Sequence, residues 1–134
     1  MKSFVLKTIA ISLACIMLTS CGSKKTLESV MTTESAVKEV ADVRDKLLSE
    51  QGDVYSDYEV VVSGNDIIYK YYYISDYSNE MLESVKEALE TDSTWSDTVK
   101  GIKDEIEQTS LIRPDTVTFA YYSFDGREIF KVTE

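Results

Sequence analysis

Any chemistry in this chain has to come from a narrow set of side chains. Of its 134 residues none is histidine, two are cysteine and 24 are aspartate or glutamate. Without histidine, Ser-His-Asp and Cys-His nucleophile pairs cannot be assembled, and the commonest zinc ligand and general base is missing. No glycine-rich phosphate loop or dinucleotide fingerprint is spelled in the chain. Paired carboxylates are the catalytic option that remains, as in glycoside hydrolysis, where one acid protonates and a second attacks or activates water. Nothing in the spacing selects two of the 24 acids, most of which fall on expected helix exteriors. Asp53, Asp57 and Glu59 gather after the first expected helix but lack the Asp-x-Asp-x-Asn-Gly loop of a dedicated calcium site. The expectation is no catalytic residue, no metal site and no cofactor.

Cys21 has a more defined setting. The chain starts with Lys2 and Lys7 and no acid, and Thr8 to Leu18 is an uncharged run of eleven residues. That is too short to cross a hydrocarbon core of about 30 Å as a helix. A charged start, a short apolar run and small residues at its end make a secretory signal. Leu18-Thr19-Ser20-Cys21 resembles the lipobox of bacterial lipoproteins. The resemblance implies a diacylglyceryl group on the Cys21 sulfur and cleavage just before it, and two acyl chains anchor far more firmly than one. Cys15 would leave with the signal, so no internal disulfide is expected. The expected organisation is a signal peptide over 1–20, a flexible tether over 21–35 and a single domain over 36–134, lipid-anchored outside the bacterial cell membrane. Of the 14 basic side chains, the loss of Lys2 and Lys7 leaves 12 against 24 acidic ones. Such a balance argues against nucleic acid and against lying flat on anionic lipid.

The elements that would hold any site follow from periodicity. Val37, Val40, Ala41, Leu47 and Leu48 recur at helical spacing between Glu34 and Glu50, and Gly52 follows as a stop. In "DYEVVVSGNDIIYKYYYIS", Gly64-Asn65 between two β-rich runs predicts a two-residue hairpin turn. Pairing outward opposes Val62 to Ile67, Val60 to Tyr69, Glu59 to Lys70 and Tyr58 to Tyr71. One face then carries Tyr58, Val60, Val62, Ile67, Tyr69, Tyr71 and Tyr73. The other carries Glu59, Val61, Ile68, Lys70, Tyr72 and Ile74, so the alternation sends Tyr71 and Tyr73 inward and Tyr72 outward. Ser78 predicts a helix cap ahead of an inward stripe of Met81, Leu82, Val85, Ala88 and Leu89. Thr94 and Asp97 suggest a capping box for a further helix with Trp95, Val99, Ile102 and Ile106 inward, ended by Arg113-Pro114. A second hairpin turns at Asp125-Gly126. A two-residue turn gathers Val117, Phe119, Tyr121, Phe130 and Val132 on one face, whereas a glycine-bulge turn would shift the register by one. The expected fold class is α+β. It is a two-layer sandwich in the order α-β-β-α-α-β-β, with a four-stranded antiparallel sheet from two hairpins and helices on one face.

With the lipobox, "DIIYKYYY", the paired helices and "VTFAYYSFDGREIF", residues 50–134 resemble a family of small lipoproteins from Gram-positive bacteria, defined as a domain of unknown function. The resemblance implies compartment and fold type and no catalytic residue. The expected role is a non-catalytic binding domain for an envelope protein or glycan. Val61, Ile68, Tyr72 and Ile74 are the candidate binding face, and the membrane is the partner of Cys21. An envelope hydrolase using a carboxylate pair, or an inhibitory or structural accessory to a basic envelope partner, are the alternatives. Cys21→Ala should abolish incorporation of a fatty-acid probe and leave an unprocessed precursor; persistent label on the variant would end the lipoprotein reading.

Overall fold

The computed structural model describes residues 26–134. Cys21 and the expected signal segment lie outside the described residues. The elements are α1 (Leu27–Met31), α2 (Glu34–Glu50), β1 (Tyr55–Ser63), β2 (Asp66–Tyr73), α3 (Asn79–Glu90), α4 (Trp95–Ser110), β3 (Thr116–Tyr122) and β4 (Glu128–Thr133). The fold is α+β, as expected.

A side-chain cap starts three of the four described helices. Thr26 and Ser29 form a reciprocal capping box on α1. Thr33 accepts from the Ala36 N–H on α2, and Ser78 accepts from the Met81 N–H on α3. The capping box expected at Thr94 does not form: its hydroxyl donates to Asp92 (2.6 Å) and makes no cap bond to α4. At the other end of α4, Leu111 takes a left-handed conformation (φ 63°) and points outward, 87% exposed. Residues 26–35, expected to belong to the tether, are folded into the domain as α1 with its cap and the start of α2. Leu27 and Val30 are buried, and the Leu27 and Glu28 N–H groups donate to Asn65 Oδ1 (2.8 Å) and Gly64 O (2.9 Å). Leu27, Val30 and Met31 carry the helical signal, and burial of the first two suffices once the β1–β2 turn supplies the hydrogen-bond partners.

The first hairpin has the expected register, from Ser63–Asp66 through Val62–Ile67, Glu59–Lys70 and Tyr58–Tyr71, with Gly64 at φ +60°. The second reconciles both readings of its turn. Gly126 (φ +92°) donates to Ser123 O (3.0 Å), and Tyr122 pairs with Glu128. An irregularity at the next pair then restores Tyr121–Phe130 and Phe119–Val132. The extra residue, Ile129, is buried.

The sheet is mixed, which corrects the expectation of a purely antiparallel one. Its order is β1-β2-β3-β4, and β2 pairs with β3 in parallel, Asp66 opposite Thr116 through Tyr72 opposite Tyr122. The physical reason is the helical excursion: α3 and α4 carry the chain back to the end at which β2 began, so β3 runs in the same direction. Seen from the side of the buried tyrosines, the first hairpin turns one way and the second the other. No rotation superimposes the two α-β-β units, which argues against a simple duplication.

The core lies on the Tyr58, Ile67, Tyr69, Tyr71, Phe119, Tyr121 face. There Leu27 and Val30 of α1 and Ile106 of α4 line a small cavity together with Ile67. Trp95 packs on Phe119 (5.2 Å) and Phe130 (5.7 Å), while its indole N–H donates to Leu89 O (2.9 Å). Two helical stripes are narrower or rotated relative to expectation. On α2 the buried residues are Ala36, Val43 and Leu47, leaving Val37 57% exposed. On α3 they are Leu82 and Leu89, and Met81 is exposed.

Six tyrosine hydroxyls, those of Tyr55, Tyr58, Tyr69, Tyr71, Tyr73 and Tyr121, are raised above the ordinary tyrosine range, chiefly because burial disfavours the phenolate. An unfolded tyrosine ionises near pH 10. Folded-state protonation therefore contributes full stability below about pH 10, and this is lost as pH rises towards the folded values. Each group loses about 1.4 kcal/mol per pH unit in that window, against a total stability of about 5–15 kcal/mol. Cooperative unfolding is expected within about 1–2 units above pH 10, with tyrosinate absorbance and loss of far-ultraviolet circular dichroism rising together. Gradual ionisation with the dichroism retained would contradict the buried-tyrosine core.

Candidate functional site

The face of the sheet opposite the core is built by alternation. Every β2 residue that sends its neighbours inward places Ile68, Lys70 and Tyr72 on this side, and pairing adds Val61 and Glu59 from β1. The parallel register contributes Thr118, Ala120 and Tyr122 from β3. Tyr72 and Tyr122 lie directly opposite and stack, with centroids 5.1 Å apart and planes inclined by 20°. The Lys70 ammonium sits 5.8 Å from the centre of the Tyr122 ring, in the range of a cation–π contact. Beyond Tyr72, its hydroxyl reaches Glu59 Oε1 at 3.4 Å, at the long end of a hydrogen bond. Thr118 and Thr133 join their hydroxyls across β3–β4 (2.8 Å). The result is a surface with an aromatic pair at one end, a cation and an anion beside it, Val61 and Ile68 further along the strands, and Thr118 and Ala120 buried among their neighbours.

Of the expected face, Val61 and Ile68 are direct partners, and Tyr72 lies further along the same side; all three are half-buried. Ile74 is not in the strand. It follows the end of β2, where its N–H donates to Val54 O (3.1 Å). Tyr122 and Lys70 complete the surface, and the sequence reading did not place Tyr122 in it. The signal was the Tyr121-Tyr122 parity, but joining it to Tyr72 required the parallel pairing.

The tyrosines here titrate for local reasons. Tyr72 is raised mainly by desolvation and then by the Glu59 charge, and Tyr122 by desolvation and then by Glu128. Two carboxyls move the other way: Arg113 holds Asp104 below the usual carboxylate range, and Ser123 does the same for Asp125. Both are exposed ions, opposite in character to the raised acid that a glycosidase requires. Asp57, one of the three acids gathered after the first helix, is engaged by Arg44 Nε (2.7 Å) and by the Tyr58 N–H (2.7 Å). Among the described residues no group of three or more His, Cys, Asp or Glu side chains is placed to hold a metal ion, and no helix is long and apolar enough to cross a membrane.

Urea midpoints should separate the two tyrosines that sit side by side in sequence. Tyr71→Ala removes a fully buried ring stacked on Tyr121 (5.0 Å) and should cost about 3–5 kcal/mol. Tyr72→Ala loses a half-exposed ring and one stack and should cost about 1–2 kcal/mol. The reverse order would place Tyr72 in the core. In comparisons with protein-family models, curated proteins and solved structures, nothing matches the chain.

Proposed function

We propose that this protein is a membrane-anchored lipoprotein of the bacterial cell envelope whose acidic α+β domain binds an envelope ligand, protein or glycan, without catalysis. The stacked Tyr72–Tyr122 pair, on the side of the sheet opposite the buried tyrosines, carries the reading. Tyrosine offers broad contact area with a polar tip at low entropic cost, which suits a recognition surface. Lys70 and Glu59 beside the pair supply the opposite charges that orient a polar ligand. The core does not need this pair, since the buried tyrosines seal the other face.

The anchor rests on the Leu18–Cys21 pattern and on its distance from the domain. Thr26 caps the first helix and Cys21 lies five positions earlier. At about 3.3–3.6 Å per residue the lipidated cysteine would stay within about 18 Å of the folded unit. The β1–β2 turn, to which α1 is bonded, would then face the membrane, and the Tyr72–Tyr122 end of the surface would lie away from it.

Immobilised Cys21→Ala protein exposed to envelope extract should retain a component that the same protein carrying Tyr72→Ala and Tyr122→Ala loses. Retention should be unaffected by Met81→Ala, an exposed change elsewhere on the surface. Equal retention by the double variant, still folded by circular dichroism, would remove this face from the function.

A further inference from the structure

β1 is an edge strand, and its free edge is closed at both ends and open in the middle. The two-residue turn makes Ser63–Asp66 a hydrogen-bonded pair, so alternation gives the same class to Val61–Ile68 and Glu59–Lys70. The N–H and C=O groups of Tyr58, Val60 and Val62 consequently point away from β2. At one end the Tyr58 N–H is taken by the Asp57 carboxylate, itself held by Arg44 (both 2.7 Å). At the other, Gly64 donates to Glu28 Oε1 (2.8 Å) and accepts from the Glu28 N–H (2.9 Å). The backbone groups of Val60 and Val62 lie between these two closures.

The same two valines line an open apolar groove of about 260 Å³ between β1 and the α1–α2 pair, with Met31, Val37 and Val40 opposite and Glu28 at the rim. Their cross-strand partners Tyr69 and Ile67 are fully buried, whereas Val60 and Val62 are only half-buried. Edge strands are ordinarily blunted against pairing. Here the blunting is confined to the flanks, and the unblunted stretch coincides with the groove.

We propose that Val60–Val62 and this groove accept an extended basic segment of a second protein by strand addition. Free N–H and C=O groups in alternation select an extended backbone, and the groove takes every other side chain of it. The intervening side chains would emerge beside Glu59, on an edge flanked by Asp57 and Glu28, in a chain with 24 acidic against 14 basic residues. That field favours a cationic partner and disfavours a second copy, which would bring the same acids face to face.

The test uses the full chain carrying Cys21→Ala in zwitterionic lipid nanodiscs, with hydrogen–deuterium exchange read at single residues. The probe is an end-capped peptide alternating Lys and Val. Without it, the Val60 and Val62 amides should exchange freely while those of Glu59 and Val61 are protected; saturating peptide should slow Val60 and Val62 at least tenfold. Val60→Pro, which removes an edge donor without touching the β2 pairing, should abolish the effect. Val37→Lys, a change at an exposed position, should weaken it at least tenfold while the fold is retained. The Tyr72→Ala, Tyr122→Ala double variant should respond as the parent does, so failure at one face is separable from failure at the other. No slowing, equal slowing by a Glu–Val peptide, protection that rises with protein concentration alone, or a response that survives Val37→Lys would each overturn the proposal.

Discussion

The structure depends on one parallel seam. β2 and β3 are the strands through which the first hairpin, with α1 and α2 beside it, meets the second hairpin and α4. Along this seam the register is straight, and aromatic rings meet aromatic rings on both faces. Tyr69 stacks on Phe119 (5.4 Å) and Tyr71 on Tyr121 (5.0 Å) within the core, while Tyr72 stacks on Tyr122 on the outer side. A slip of one residue would exchange the faces of an entire strand, placing Tyr72 against the helices and Tyr71 in water. Core and recognition surface are thus specified by the same pairing.

A core made of tyrosine carries a polar cost. Tyr55 and Tyr73 stack (5.2 Å), and the hydroxyls of Tyr58, Tyr69 and Tyr71 have no partner among the described residues. Each buried unpaired hydroxyl costs about 1–3 kcal/mol. Burial of an aromatic side chain of about 150–250 Å² at about 25 cal/mol per Å² more than offsets this for each ring. The rings also brace one another, Tyr58 edge-on to Tyr71 (5.3 Å) and Tyr73 stacked on Tyr77 (5.2 Å), so the cluster is rigid through geometry rather than through hydroxyl bonding.

Much of this was legible in the residues. Gly64-Asn65 between alternating strands set the first register, because turn chemistry and burial parity both constrain it. The same parity correctly divided Tyr71 and Tyr73 from Tyr72. What could not be read was long-range. The direction of β3 relative to β2 depends on where a helical pair returns the chain, and no local pattern encodes that. Local pattern alone therefore does not bring Tyr122 beside Tyr72. α2 shows a subtler limit: Val37 fits an apolar stripe with Val40 and Ala41, but the buried line runs through Ala36, Val43 and Leu47, and Val37 is turned outward. That rotation leaves the groove beside β1 open.

The seam also governs the order in which the chain can assemble. Each hairpin joins near neighbours, whereas β2 and β3 join residues fifty positions apart, Asp66 to Thr116. Closing so long a loop has an entropic cost that local turns do not, so the two hairpins can form before they meet. Until they do, β2 offers a bare edge spelled Asp-Ile-Ile-Tyr-Lys-Tyr-Tyr-Tyr, rich in strand-forming residues and free of proline. Such a segment is a template for intermolecular pairing, with Lys70 its single basic gatekeeper. The half-assembled chain, rather than the finished domain, is where this protein is most exposed to aggregation.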